Sequence, residues 1–363
     1  MGRKTPFYDY HILNNAKIVD FAGFEMPLQF SSIIEEHNNV RTNVGVFDIS
    51  HMGNILVVGK DAENFIQYVV TNDVSKLIPG KVQYSVMCYP DGGIVDDLLI
   101  YKISENEFFL VVNASNIEKD FDWLLSQQKG DVVVQNMSYS TAALAVQGPR
   151  SLDVMQNIVD FDLNSLSYYT FADGSIAGVK MIISRTGYTG ELGFELFFDA
   201  EGLNSKKVWD AIFEAGKPYN IMPAGLGARD TLRLEMGYRL YGNDIDNTTN
   251  PIEAGLAWVA KFDKENFIGK EALLEIKKSG PKRKLVGFMM NDKFIARHGY
   301  KIFAQNEEIG FVTSGTYSPS LGKGIGMGYV ECKYASQGTD IYFSFKEKAG
   351  KATIVKIPFL IKN

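Results

Sequence analysis

The chain has 363 residues, 45% of them hydrophobic and 22% charged, with a formal net charge of −6. At roughly 150 residues per domain this makes two or three domains of ordinary globular composition, which excludes a disordered chain. The acidic balance excludes nucleic-acid binding as the main task, and no apolar run reaches the roughly 20 residues of a membrane-spanning helix.

The start, Met1-Gly2-Arg3-Lys4-Thr5-Pro6, is basic with no apolar stretch behind it. No secretory signal is expected, and Pro6 breaks the myristoylation pattern. Ser31–Asn43 reads as a helix, with Ser31 or Ser32 as its cap and Glu35 three residues after Ser32. Asn54–Val58 reads as a strand and Asp61–Val70 as a helix. Gln83–Tyr89, the turn Pro90-Asp91-Gly92-Gly93 and Ile94–Ile103 form the clearest hairpin, because Asp-Gly supplies the positive φ of a tight turn. Phe108–Asn113 continues the sheet and Asn116–Gln128 is a helix. Strands follow at Val132–Met137, Ala142–Gln147, Lys180–Ser184 and Phe194–Phe198, and helices at Ser205–Ala215 and Leu226–Met236. Hairpin connections without strict βαβ alternation give an α+β fold with antiparallel sheets. The basic stretch Lys277–Lys284, with its Gly and Pro, reads as a linker or as a dock for an acidic partner. A strand-rich domain follows it. Glycine at every second position of Gly322–Gly328 fits a bent strand with close backbone approach.

Scarce residues narrow the chemistry. Cys88 and Cys332 stand alone, and His11, His37, His51 and His298 form no ligand spacing, so no metal is expected. Low cysteine usage fits a cytoplasmic protein. No GxSxG supports a serine hydrolase. Aromatic residues make up 12% of the chain, which serves either larger cores and sheets or a flat, stacked ligand.

Ile94-Val95-Asp96-Asp97-Leu98-Leu99-Ile100-Tyr101 is apolar except for its two aspartates. Alternation puts Asp97 on one face with Val95, Leu99 and Tyr101, and Asp96 on the other. A carboxylate there is costly unless paired, so it either transfers protons or binds backbone amides at a sheet edge. Tyr84 and Asn113 lie on the flanking segments. Arg185-Thr186-Gly187-Tyr188-Thr189-Gly190-Glu191-Leu192-Gly193-Phe194-Glu195 is a glycine-punctuated turn entering a strand. Arg229 and Arg233 share a helix face, as ligand-reading forks or as a surface ion-pair stripe.

Together these segments resemble the T-protein family of the glycine cleavage system, the aminomethyltransferases. The matching stretches include Phe21-Ala22-Gly23-Phe24-Glu25-Met26-Pro27, Asp48-Ile49-Ser50-His51-Met52, Gly92-Gly93-Ile94-Val95-Asp96-Asp97-Leu98, Val111-Val112-Asn113-Ala114, Arg185-Thr186-Gly187-Tyr188-Thr189-Gly190-Glu191, Gly227-Ala228-Arg229-Asp230-Thr231-Leu232-Arg233-Leu234-Glu235 and Tyr241-Gly242-Asn243-Asp244-Ile245. Their order runs through the whole chain.

The resemblance implies two interleaved α+β lobes over residues 1–276, a basic linker at 277–284 and a C-terminal β-barrel or jelly-roll-like domain at 285–363, set around a central folate channel. It implies transfer of the one-carbon unit from an aminomethyl group on the lipoyl arm of the H-protein to tetrahydrofolate, with release of ammonia. The products are 5,10-methylenetetrahydrofolate and dihydrolipoyl H-protein. The implied catalytic acid is Asp97. The implied folate-binding residues are Met52, Tyr84, Tyr101, Asn113, Tyr169, Tyr188, Glu195, Arg229 and Tyr238, with Arg229 either meeting the ligand or holding Glu195. The implied partners are the lipoylated H-protein and tetrahydrofolate, with no nucleic acid and no membrane. Related folate proteins with a Lys-Gly-Cys-x-x-Gly-Gln-Glu motif are set aside, because this chain reads Asn266-Phe267-Ile268-Gly269-Lys270-Glu271. Some members carry a tyrosine near the C-terminus that approaches the ligand, whereas Pro358-Phe359-Leu360-Ile361-Lys362-Asn363 contains none.

Overall fold

A computed structural model describes residues 2–345 and 348–361. Met1, Lys346 and Glu347, together with Lys362 and Asn363 at the end of the expected C-terminal domain, lie outside the described residues. The fold is α+β, with antiparallel sheets, flanking helices and a closed six-stranded barrel. The chain divides into two compact units. The first comprises residues 1–67, 74–84 and 98–230, and the second 68–73, 85–97 and 231–363.

The first unit is built on a six-stranded sheet. Its spatial order is Phe171–Ile176, Val179–Ser184, Gly193–Asp199, Thr141–Gln147, Val44–Asp48 and Ile221–Pro223. All its pairs are antiparallel except the last, where Ile221–Pro223 lies parallel to Val44–Asp48. Val46, Leu144, Val146, Phe194, Leu196 and Phe198 point into one core with Phe7 and Trp209, and burying such side chains contributes roughly 1.5–3 kcal/mol each. Of the two candidate caps the helix Ile33–Thr42 uses Ser32, whose hydroxyl accepts from Glu35 N at 3.2 Å. A buried carboxylate, Glu36, gathers the backbone amides of Phe30, Ser31 and Gly225 at 2.6–2.9 Å.

A five-stranded sheet has the order Val82–Cys88, Ile94–Ser104, Glu107–Val112, Gly53–Val58 and Val133–Asn136. Its first two strands are the expected hairpin, and the unit boundary crosses both. At the hairpin tip, Gly92 takes φ 89° and Tyr89 N donates to Gly93 O at 2.8 Å. Only glycine adopts that φ without strain.

The second unit holds the barrel, with strands Arg283–Met290, Lys323–Glu331, Glu307–Ser318, Lys301–Ala304, Asp340–Phe345 and Lys348–Val355 in closed order. Phe288, Met290, Ile302, Val312, Ile341, Phe343 and Ile354 fill it. Gly324, Gly326 and Gly328 lie on the Lys323–Glu331 strand, and Gly322 sits in the turn before it with φ 65°. A Cβ at Gly326 would stand 2.4 Å from the Phe288 ring, so the small residue makes room for the barrel core. The basic stretch closes one element and opens the next: the helix Lys270–Ser279 ends at Gly280 with φ 79°, and the first barrel strand starts at Arg283.

Candidate active site

Eight of the expected site residues fall in the first unit, and Asp97 and Tyr238 fall in the second. Asp97 lies on the Ile94–Ser104 strand, between Asp96 and Leu98, which are both buried. It is itself half-buried. That strand is second in its sheet, and its ladder with Glu107–Val112 begins at Leu99, two residues past Asp97. Tyr238 is half-buried in the turn after the helix Leu226–Glu235, where its amide donates to Arg233 O at 3.0 Å and its carbonyl accepts from Arg233 Nη1 at 3.0 Å.

In the first unit the strand register does much of the positioning. Glu195 sits in the middle of Gly193–Asp199, opposite Ser184 on one side and Ala145 on the other. Thr186 lies two residues beyond Ser184, and its hydroxyl donates to Glu195 Oε2 at 2.5 Å. The Ser184 hydroxyl is 2.9 Å from Thr186 Oγ1, and the Tyr101 hydroxyl is 3.3 Å from it. Burial raises the Glu195 carboxyl above the ordinary range; the Thr186 hydrogen bond and the nearby Arg229 charge pull it part of the way back. The Arg229 guanidinium lies 4.5 Å from the centre of the Tyr188 ring, within cation–π range. A carboxylate, a guanidinium and a half-buried tyrosine therefore converge.

Met52 is half-buried in the turn between the strands Val44–Asp48 and Gly53–Val58. Its neighbour His51 is fully buried, packs edge-on against Phe21 at 5.5 Å, and has no hydrogen-bond partner on either ring nitrogen. Burial, and then the Arg229 charge, push its pKa down to about 3, so the ring is neutral. Tyr169 is half-buried with φ 63°, a conformation non-glycine residues rarely hold. Its amide donates to Arg185 O at 3.1 Å and its carbonyl accepts from Val82 N at 3.0 Å, which fixes that backbone. Tyr84 and Asn113 are both half-buried, Tyr84 on the Val82–Cys88 strand and Asn113 just past Glu107–Val112.

Tyr101 departs from the expectation. It is fully buried, and its ring is surrounded by Phe109, Phe171 and Phe197 at 5.3–5.9 Å. At 0% exposure the ring offers no surface to a flat ligand, and its hydroxyl lies 3.3 Å from Thr186 Oγ1.

The family model described as GCVT N-terminal domain matches residues 7–264, and that described as glycine cleavage T-protein C-terminal barrel domain matches residues 283–360. The chain belongs to the glycine cleavage T-protein family, the aminomethyltransferases. A Chloroherpeton thalassium aminomethyltransferase is 51% identical over 361 residues, covering 99% of both chains. One from Porphyromonas gingivalis is 52% identical over 363 residues, covering 98% of this chain and 99% of its own. The crystal structure of glycine cleavage system aminomethyltransferase T from Bartonella henselae superposes with a TM-score of 0.93 at 32% identity, covering 99% of this chain and 98% of that one.

Some residues that order this T-protein site drew no attention in the sequence. Gln147, fully buried, donates to Thr186 O at 3.1 Å and accepts from the Thr189 hydroxyl at 2.8 Å, bracing the loop that carries Tyr188. Arg41, which lies in the matching stretch Val40-Arg41-Thr42 but was given no role there, holds the same loop through Thr189 O at 2.7 Å and Glu191 at 2.9 Å. Thr186 lies inside a recognised motif, but the glycines, the tyrosine and the acids beside it carried the reading. Among the described residues no three His, Cys, Asp or Glu side chains gather as metal ligands, and no helix is long and apolar enough to cross a membrane.

Proposed function

We propose that this chain transfers the one-carbon unit of an aminomethyl group, carried on the lipoyl arm of the glycine cleavage H-protein, to tetrahydrofolate. The carbon–sulfur bond to the arm and the carbon–nitrogen bond to ammonia break, and two carbon–nitrogen bonds to the folate form. The two protons that the folate nitrogens give up leave on ammonia and on the dihydrolipoyl thiol. Electrons balance without an oxidant.

Asp97 is the observation that carries the reading. It is a half-buried carboxylate in an otherwise buried stretch of strand, inside the motif Gly92-Gly93-Ile94-Val95-Asp96-Asp97-Leu98. A carboxylate so held orients the attacking folate nitrogen and accepts its proton. Glu195 takes the paired N–H donors of the pterin, a match two carboxylate oxygens suit. Tyr188, backed by Arg229, flanks the ring, with Met52, Tyr84, Asn113, Tyr169 and Tyr238 as further folate contacts. Both described cysteines are free thiols, consistent with work in the cytoplasm.

The test is ammonia release from aminomethylated H-protein, with and without tetrahydrofolate. Release that needs both is expected. Release indifferent to folate, or none at all, overturns the reading.

A further inference from the structure

The hydroxyl cluster behind Glu195 has a direction. A threonine hydroxyl carries one proton. With Glu195 ionised, Thr186 spends that proton on Oε2 at 2.5 Å. Thr186 Oγ1 must then accept from Ser184 at 2.9 Å, and the Tyr101 hydroxyl, 3.3 Å from Thr186 Oγ1 and also bonded to Ser184, donates into the same pair. Every proton in the cluster therefore points toward one carboxylate oxygen. Tyr101 suits the donor role, because burial first and the Glu195 charge second hold its phenol protonated. Ser184 and Tyr101 are fully buried and Thr186 is 2% exposed, so water does not replace any of the three.

The backbone under Thr186 is also fixed. Its carbonyl accepts from Gln147, whose own carbonyl oxygen is held by Thr189. A Cβ on Gly187 would lie 2.0 Å from Gln147 Oε1, so the chain passes too close to that strut to swing away.

We infer that Thr186 is a positioning residue for substrate recognition: with Tyr101 and Ser184 behind it, its hydroxyl fixes the plane of the Glu195 carboxylate and leaves Oε1 as the oxygen offered to the folate. A carboxylate oxygen accepts about two hydrogen bonds. Oε2 thus keeps one direction open, and the group meets two parallel N–H donors only in the orientation Thr186 sets. This rests on Glu195 being a folate contact. The charged and titratable groups coupled to Glu195 and its cluster are Arg229, Tyr101 and, through Tyr101, Tyr169.

Thr186→Val keeps the shape and removes the hydroxyl, and Thr186→Ser keeps the hydroxyl. Tetrahydrofolate dissociation constants are read by calorimetry between pH 5 and pH 8 for both variants, wild type, Tyr101→Phe and Glu195→Gln. Losing a hydrogen bond to a charged group should weaken binding by T186V about tenfold or more at neutral pH. Binding needs the ionised carboxylate and is lost as pH falls through its pKa. Without the Thr186 donor that pKa rises further, so the acid limb of binding moves to higher pH. T186S restores both affinity and limb, and Y101F moves the limb the same way by less. A T186V protein that binds with the wild-type limb overturns the inference, whether or not its melting temperature falls. If T186V does not fold, an unmoved limb in Y101F has the same force. Glu195→Gln separates the two readings: if it binds folate as wild type does, the assignment of Glu195 itself fails.

Discussion

Two carboxylates in different units show how a working group differs from a structural one. Asp244 in the second unit is fully buried and bonded on both oxygens. It accepts from Arg233 Nη1 at 2.6 Å, Leu240 N at 3.0 Å and the Thr313 hydroxyl at 2.5 Å. Arg233, 1% exposed, spends further donors on Tyr238 O and Ser314 Oγ. Neither side chain presents a surface to a ligand. Glu195 in the first unit has one hydroxyl on one oxygen, a guanidinium close by and a half-buried surface. The arginines associated with the two acids stand one turn apart on a single helix, Leu226–Glu235, so sequence pattern alone cannot separate their roles.

The comparison breaks if the two sites respond alike to substitution. Arg233→Met should leave Asp244 buried and unpaired, and lower stability in urea unfolding by about 3–5 kcal/mol. A loss below about 1 kcal/mol would mean the pair is not the lock its geometry describes. Glu195→Gln should do the reverse. It should weaken tetrahydrofolate binding by roughly ten- to a hundredfold, the worth of a hydrogen bond to a charged group, while melting stays level or rises. Melting stays because burial already disfavours the Glu195 charge. A fall in melting comparable to that of the Arg233 variant would make Glu195 structural.

His51 sharpens the contrast, since it is buried near the site with no partner. Its folded pKa is pushed down from 6.5 to about 3, so its contribution to stability is complete above pH 6.5 and lost as pH falls toward 3. In that window it should cost the wild type about 1.4 kcal/mol per pH unit. His51→Phe removes the group, so its unfolding free energy should fall less steeply between pH 6.5 and pH 4. Identical slopes would mean the ring already has a partner in solution.

Much of this organisation was legible beforehand. The hairpin around Gly92 and the helix opening near Ser32 announce themselves through local chemistry, turn residues and a cap, whereas the C-terminal region reads only as strand-rich and its barrel came from the family resemblance. Val44–Asp48 did not read as a strand, because it is buried on both faces and includes a glycine. It is held by partners far along the chain, at Leu144–Gln147 and Ile221–Pro223. Phe171–Ile176 was hidden by Asp173 and Gly174, poor strand formers held in place by Val179–Ser184. In the site, Asp97, Tyr188, Glu195 and Arg229 stood out as chemistry-bearing residues in glycine-marked motifs. Thr186 and Ser184 did not, because their role depends on the register that sets Ser184 opposite Glu195 and on a tyrosine arriving from another sheet.

The most direct test compares wild type with Asp97→Asn at saturating tetrahydrofolate, measuring single-turnover ammonia release from aminomethylated H-protein and folate affinity on the same preparations. Removing a proton-transfer group should slow release by about 10²- to 10⁴-fold while folate binds within a fewfold of wild type. Release at the wild-type rate from the Asp97→Asn protein would contradict the account.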